Sequence, residues 1–372
     1  GNQLNRAMQS MRQPGSAVKP LLYAAAMESK KFSPATAVLD SPLVYLDTEG
    51  GDWVPENYEG EYYGLLRLRK ALSLSINVIS IRIADALGIE YVMRFYGKLL
   101  KLSPEDTRRR VPRNFSIALG SFEVSPFELA RAYAIIANGG KDVIPFSVRS
   151  VKDRNGRVLE NNEEEITALI RKREENGTIQ VLQPATAQIM ISLLQSVISS
   201  GTGSAASIGR AAAGKTGTTN NWKDAWFCGF SPSLTTCIWM GYDKLGLSLG
   251  IGQAGGAVVA PAWGDYMRDA LRNDEGFGFP QYAALSEKQV CAISGLTLSS
   301  SCRNSISEVF IPGTEPDEEC TMCRDGLHEM KVLQKGPREN ISGNQKQSIM
   351  KNIKKKKGAD RILDKVGNDL LN

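Results

Sequence analysis

The stretch KTGTTNNWKDAWFCGFSPSLTTCIWMGY, residues 215–242, contains three segments typical of β-strands. Residues 224–230 and 235–242 are rich in aromatic and apolar side chains, and the short turn Ser231-Pro232-Ser233 separates them. This pattern predicts an antiparallel hairpin, to which residues 215–219 add a third strand. Helical patterns come before and after this region, so we expect an α+β fold with an antiparallel β-sheet flanked by helices.

The residues leading into this stretch allow a second interpretation. Residues 209–216 match G-x-x-x-x-G-K-[ST], the phosphate-binding loop of nucleotide-binding proteins. That loop needs an apolar strand before it and a helix that begins at the Lys-Thr pair. Here residues 199–208 are small and polar, and residues 217–221 are poor helix formers. The context therefore disfavours nucleotide binding.

Histidine and charge restrict the chemistry further. The chain of 372 residues has one histidine, His328, and its position at the edge of the basic tail argues against a Ser-His-Asp mechanism. A Lys, Asp or Glu must therefore act as any general base.

The positive charge is concentrated at the end of the chain. Residues 329–372 contain eleven Lys and Arg residues against five Asp and Glu residues, so their charge of +6 exceeds the net charge of +5 of the whole chain. The rest of the chain is nearly neutral, so we expect no nucleic-acid binding and a solvated, disordered tail.

The six cysteines form two groups. Cys228 and Cys237 lie in apolar runs and are expected to be buried thiols. The other four lie in a Ser/Gly/Pro-rich stretch, which suggests disulfides in an oxidising compartment or a zinc site: Cys291, Cys302, Cys320 and Cys323. Their spacing includes only one close pair, so we favour disulfides and expect no metal or cofactor.

Three short motifs suggest acyl transfer. Ser16-Ala-Val-Lys19 follows a Pro-Gly turn at the start of a predicted helix, where residues three apart share one face. Without histidine, a desolvated neutral Lys can activate the Ser. Ser75-Ile-Asn77 offers a second hydroxyl and an amide, and Lys215-Thr-Gly-Thr218 lies on a predicted edge strand. A glycine there would let a substrate backbone lie against the strand.

The order S-x-x-K, S-x-N, K-T-G occurs in penicillin-binding proteins and serine β-lactamases. The chain resembles the transpeptidase domain of a class A, bifunctional penicillin-binding protein over about residues 5–320. This family has an α+β fold with a mainly helical subdomain. Further blocks carry the resemblance: residues 5–20, 53–57, 118–126, 134–140, 215–219, 224–227, 290–295 and 312–316.

The resemblance implies catalytic roles. Ser16 attacks the penultimate D-Ala carbonyl of a peptidoglycan stem peptide and releases the terminal D-Ala. Lys19 is the base, Ser75 relays the proton to the leaving group, and Asn77 binds the substrate amide. Lys215 completes the catalytic group.

It also implies how substrate is held. Lys215, Thr216 and Thr218 bind the terminal carboxylate, with Gly217 between them on the strand. The backbone N–H groups of Ser16 and Thr218 form the oxyanion hole. An acceptor amine then resolves the acyl-enzyme to form a crosslink, and β-lactams acylate Ser16.

The resemblance further suggests an organisation and a location. We expect a transpeptidase domain at 1–285, a Cys-containing extension at 286–328 with a Cys291–Cys302 disulfide, and a basic tail at 329–372. The expected parent protein is periplasmic, with a membrane anchor and a glycosyltransferase domain outside this chain. At the last cysteine motif the family pattern has a His, whereas this chain has Cys320-Thr-Met-Cys323.

Three other functions remain open from the sequence. The same motifs serve D-Ala-D-Ala carboxypeptidases and β-lactamases, because the acceptor is chosen by the shape of the cleft. A β-lactam sensor without turnover is a second alternative. The nucleotide-binding loop is the third.

Overall fold

A computed structural model describes residues 3–45, 53–276 and 278–323 of the chain. His328 and the basic segment 329–372 lie outside the described residues, as do the last positions of the expected extension. Among the helices of the described part, none has the length and hydrophobicity needed to cross a bilayer.

Helices make up most of the first 200 residues. The α-helices are α1 Arg6–Gln9, α2 Lys19–Glu28, α3 Leu68–Ser73, α4 Asn77–Leu87, α5 Ile89–Leu100, α6 Pro104–Arg110, α7 Pro126–Ala137, α8 Asn162–Glu175, α9 Pro184–Ser200 and α10 Ala260–Ala270. Shorter 3-10 helices occupy Gly15–Val18, Phe115–Leu119, Ser204–Ala206 and Asn220–Trp222, and a short π-helix occupies Gly255–Val259.

The strands pair as antiparallel neighbours. They are β1 Ala37–Asp40, β2 Gly64–Arg67, β3 Ser150–Lys152, β4 Val158–Asn161, β5 Ala213–Thr218, β6 Asp224–Phe230, β7 Thr235–Gly241, β8 Ser286–Cys291 and β9 Ser305–Phe310. β5, β6 and β7 form one sheet in that order, and the others form three separate pairs. The predicted three-stranded meander and the α+β class are confirmed.

Helix α2 lies at the centre of the main core. All of its residues from Lys19 to Met27 are buried, because its sequence is apolar on every side apart from Lys19. It packs against α4, α5 and α9. The turn that carries Ser16 is therefore attached to a rigid, fully enclosed helix.

A second core lies between the sheet and α10. Phe227 of β6 packs on Trp263 of α10 with ring centroids 5.0 Å apart. Met267 and Ala225 belong to the same cluster. This packing holds one face of the sheet against α10. The outer edge of β5 is left to face the other elements of the molecule.

Two local expectations differ from the structure. Cys228 and Cys237 form a disulfide rather than two thiols, because the strand register places them directly opposite each other with Cα atoms 4.0 Å apart. The implied Cys291–Cys302 disulfide is wrong in this structure: both residues are free, and the Cys291 sulfur lies 3.6 Å from that of Cys323. Which cysteines pair does not follow from sequence spacing, because it depends on strand register and on how separate segments pack.

The hairpin of β8 and β9 forms an extension that docks behind α3. Glu308 of β9, whose side chain is 1% exposed, accepts hydrogen bonds from Arg69 of α3. Arg69 also donates to Ser192 and Ser196 of α9. One guanidinium thus joins the extension to two helices of the main core.

Candidate active site

Ser16 lies in the 3-10 turn Gly15–Val18, immediately before α2. The turn is held at both sides, since Ala17 N–H donates to Pro14 O at 3.2 Å and the Tyr133 hydroxyl donates to Ala17 O at 2.7 Å. The Ser16 side chain is partly exposed and makes no hydrogen bond to any residue that the structure describes. Its hydroxyl is therefore accessible on a rigid support.

Lys19 is fully buried one turn further along. Its Nζ donates to Asn77 Oδ1 at 2.8 Å and to the carbonyl oxygens of Ser75 at 2.6 Å and Ile76 at 3.2 Å. Burial, and secondly the positive charge of Lys215, hold the pKa of Lys19 well below its usual value. Polar acceptors therefore surround the Lys19 amine, while its lowered pKa favours the neutral form.

Ser75 occupies the link between α3 and α4 with φ of 61°, in the left-handed region that a non-glycine residue rarely adopts. Its Oγ accepts hydrogen bonds from Lys215 Nζ at 2.9 Å and Lys19 Nζ at 3.4 Å. With both lone pairs engaged by amines, the Ser75 hydroxyl hydrogen can be donated elsewhere. The strained backbone brings this hydroxyl between the two lysines.

Lys215 approaches the same hydroxyl from strand β5. It is fully buried, and burial lowers its pKa to about 7. Its Nζ also donates to Thr216 O and Oγ1, each at 3.1 Å, and Thr216 Oγ1 in turn pairs with Thr202 Oγ1 at 2.8 Å. This amine can therefore carry or lack a proton near neutral pH.

The free edge of β5 faces the turn that carries Ser16. Antiparallel neighbours alternate between hydrogen-bonded and non-hydrogen-bonded pairs. Thr219 N–H donates to Asp224 O at 3.0 Å, so the adjacent pair Thr218–Ala225 is non-hydrogen-bonded and Thr218 N–H points away from β6. A Cβ on Gly15 would lie only 2.5 Å from Thr218 O, which places the Ser16 turn beside this edge.

Gly217 is needed for close packing within the chain. Its place on an edge strand had suggested instead that it leaves room for a substrate backbone. A Cβ there would overlap Pro14 O and lie 2.9 Å from Ala17 Cβ. The space beside Gly217 is therefore filled by the chain's own turn and not left for a substrate backbone. The glycine lets β5 and the Ser16 turn pack closely.

Asn57 is a positioning residue that the motif analysis did not assign. Its Oδ1 accepts from the backbone N–H groups of Asn77 and Val78 at 2.9 and 3.3 Å, and so caps α4 from a distant loop. Its Nδ2 donates to both carboxylate oxygens of the buried Asp40, each at 2.9 Å. The only sign of this role in the sequence is that Asn57 lies in residues 53–57, one of the blocks that carry the family resemblance.

The structure therefore brings together the residues predicted from three distant motifs. Lys19, Ser75, Asn77 and Lys215 form one hydrogen-bonded network, and the Ser16 turn lies against the strand that carries Lys215. The Lys-Thr pair lies within an edge strand and opens no helix, so the phosphate-loop interpretation is wrong.

Known families match both parts of the chain. Residues 2–268 match the family described as "Penicillin binding protein transpeptidase domain". Residues 281–325 match "Penicillin-binding protein 1A, C-terminal domain".

Relatives and solved structures agree with these matches. Penicillin-binding protein 1A of Aquifex aeolicus is 36% identical over 86% of this chain and 41% of its own length, and that of Neisseria gonorrhoeae is 39% identical over 74% and 33%. The chain thus spans about two fifths or less of these relatives.

The structure of penicillin-binding protein 1A from Haemophilus influenzae superposes with a TM-score of 0.74 at 30% identity, covering 86% of this chain and 50% of that one. PonA1 of Mycobacterium tuberculosis in complex with penicillin V gives a TM-score of 0.62 at 27% identity, covering 75% and 74%. The resemblance to class A proteins is confirmed, and the chain belongs to the penicillin-binding protein transpeptidase family.

Proposed function

We propose that this chain is a serine D,D-transpeptidase domain that crosslinks peptidoglycan stem peptides through an acyl-enzyme on Ser16. The observation that carries the proposal is the buried network in which Lys19 and Lys215 both donate to Ser75 Oγ. Two amines with lowered pKa values beside an accessible serine turn supply the proton transfers that acyl transfer requires.

Acylation begins when Lys19 in its neutral form takes the proton of Ser16. Ser16 Oγ attacks the carbonyl carbon of the penultimate D-Ala, and the negative charge develops on the carbonyl oxygen. The N–H groups of Ser16 and Thr218 stabilise that oxyanion. The Thr218 N–H is suited to this because it points away from its neighbouring strand.

Collapse of the intermediate breaks the peptide bond to the terminal D-Ala. The leaving nitrogen takes the hydroxyl hydrogen of Ser75, and the proton is replaced from the lysines that donate to Ser75 Oγ. Asn77 holds the substrate amide near this relay. The acyl-enzyme then reacts with an amine of a neighbouring stem peptide, which forms the crosslink.

Recognition of the terminal carboxylate falls to the β5 edge. Thr218 Oγ1 accepts from Gly255 N–H at 3.0 Å, which leaves its own hydrogen to donate to a carboxylate. Lys215 supplies positive charge behind it, and Thr216 orients the Lys215 amine. β-Lactams carry a carboxylate and a reactive carbonyl, and we propose that they acylate the same Ser16.

We propose that this adduct hydrolyses slowly, and the hydrogen bonds of the buried Asp40 are consistent with that. Both of its carboxylate oxygens accept hydrogen bonds from Asn57, and one also accepts from Tyr63 N–H at 2.9 Å. This carboxylate is buried and its oxygens already accept hydrogen bonds, so it is poorly placed to activate water.

We propose a periplasmic location for the chain, with a membrane anchor and a glycosyltransferase domain in the parent protein.

The test is covalent labelling by fluorescent penicillin. The unmodified chain is expected to form a stable adduct, whereas Ser16→Ala should reduce labelling by more than about 100-fold because the nucleophile is gone. Ser200→Ala, which changes an exposed serine at the end of α9, is the matched control and should label fully.

Each outcome discriminates among the alternatives. Full labelling of Ser16→Ala would reject the nucleophile assignment. Rapid loss of the adduct would favour a β-lactamase. Release of D-Ala from a stem pentapeptide without crosslinking, even with an acceptor amine present, would favour a carboxypeptidase. An adduct with neither activity would favour a sensor.

A further inference from the structure

Four cysteine sulfurs meet in the extension although they come from three separate segments. The Sγ atoms of Cys291, Cys302, Cys320 and Cys323 all lie within 4.8 Å of one another. Cys291 ends strand β8, Cys302 precedes β9, and the last two follow β9. Three of them are buried and Cys302 is half-buried.

The spacing of the sulfurs fits a tetrahedral metal site. Zinc binds thiolates at about 2.3 Å, which places neighbouring sulfurs about 3.8 Å apart. Cys291 Sγ lies 3.6 Å from Cys323 Sγ. Two disulfides would instead bring two pairs to about 2.05 Å, yet all four cysteines are free while Cys228 and Cys237 are bonded in the same structure.

Tight turns enclose two of the sulfurs. Ser299 contacts Cys302 Sγ through both its backbone N–H and its hydroxyl, each at 3.4 Å, and the turn is closed by Cys302 N–H on Ser299 O at 3.0 Å. A second turn is closed by Gly295 N–H on Cys291 O at 2.9 Å. Amide donors such as the Ser299 N–H orient thiolate ligands and offset their charge in metal sites.

The extension also lacks a large core of its own. Val290 of β8 and Phe310 of β9 form only a small buried cluster, with Ala35 of the main part of the chain. A two-stranded hairpin with so little buried surface is marginally stable, and small units of this kind are commonly held by a disulfide or a metal. The segment after β9 joins it through few backbone contacts, among them Cys320 N–H to Thr297 O at 2.9 Å.

We propose that Cys291, Cys302, Cys320 and Cys323 bind one zinc ion as a structural site that holds the extension together. Four thiols release four protons and form four sulfur–zinc bonds, which gives a site of net charge −2. Arg67 supplies positive charge beside it, since its Nε donates to Ala292 O at 2.9 Å. The single close pair in the sequence had favoured disulfides; the tertiary arrangement favours zinc.

The experiment measures metal content by mass spectrometry on the full chain purified without chelators. We expect equimolar zinc, a large loss in Cys302→Ser and in Cys323→Ser, and full zinc in the matched Cys228→Ala/Cys237→Ala variant. Replacing zinc with Co²⁺ in the unmutated chain should give thiolate-to-cobalt charge-transfer bands and intense tetrahedral d–d bands.

Two results would overturn the proposal. One is an intact mass, after alkylation without reduction, that shows two disulfides among the four cysteines. The other is full zinc in Cys302→Ser. If the serine variants fail to fold by circular dichroism, the cobalt spectrum of the unmutated chain decides, and a spectrum without thiolate bands rejects the site. Neither readout depends on transpeptidase activity.

Discussion

Ser75 shows how a single residue combines backbone strain with chemistry. Its left-handed φ of 61° costs about 1 kcal/mol for a residue with a Cβ. The conformation places its hydroxyl where Lys19 and Lys215 both donate to it. A glycine would relieve the strain but would remove the hydroxyl, so stability and activity oppose each other at this position.

This opposition leads to a paired test. Ser75→Gly and Ser75→Ala both remove the proton relay and should slow penicillin acylation by about 100-fold. Ser75→Gly should be more stable than Ser75→Ala by about 1 kcal/mol, because only the alanine keeps the strained backbone. Labelling rates and urea unfolding measure the two effects. Equal stability of the variants would contradict the assignment of strain.

At the scale of elements, α4 depends on a residue outside it. The helix begins at Asn77. Its N-cap residue, Ile76, has an apolar side chain that cannot accept a hydrogen bond from the first helical N–H groups. Asn57 supplies the missing acceptor and at the same time satisfies Asp40. Since Asn77 also binds Lys19, the loop of Asn57 positions the catalytic network through α4.

Replacing this cap tests the connection. Asn57→Ala should cost about 2–4 kcal/mol of unfolding free energy, because it leaves buried donors and a buried carboxylate without partners. It should also slow acylation. Asn161→Ala is the matched control: Asn161 caps the exposed helix α8 through Glu164 N–H, and its loss should cost about 1 kcal/mol or less with unchanged acylation. Equal costs for the two variants would argue against the role of Asn57.

At the scale of the whole molecule, burying two lysines makes stability depend on pH. The pKa of Lys215 falls to about 7 in the folded chain, against about 10.4 in an unfolded one. Between these values the unfolded chain binds more protons, so the free energy of unfolding rises with pH. The contribution of Lys215 reaches at most about 1.4 kcal/mol per pH unit.

Lys215→Met should therefore flatten this dependence. The variant removes the titrating amine, and it also removes the charge that helps to lower the pKa of Lys19. Urea unfolding of both proteins at several pH values between about 7 and 9 measures the difference in slope. Parallel curves for the two proteins would mean that Lys215 is not desolvated in the folded state.

Several elements could be predicted because their signals are local. The meander of β5, β6 and β7 follows from aromatic and β-branched runs separated by turn residues, and α2 follows from an apolar run after a Pro-Gly turn. The high charge of residues 160–177 predicts an exposed segment, and this segment contains α8, none of whose residues is buried. Its exposure follows from its charge, and its helical form follows from strong helix formers such as Glu, Ala, Leu, Arg and Lys together with the Asn161 cap.

The residue types that the chemistry needs can be read from the sequence alone: serines and lysines in three ordered motifs, with a single histidine outside them. The packing of distant segments is what brings Lys215 Nζ to 2.9 Å from Ser75 Oγ, 140 positions earlier, and Asn57 to the start of α4. The same packing makes Gly217 necessary beside the Ser16 turn and brings four cysteines together. Motifs and periodicity report local geometry. Desolvation, pKa shifts and ligand clusters depend instead on which distant segments pack together.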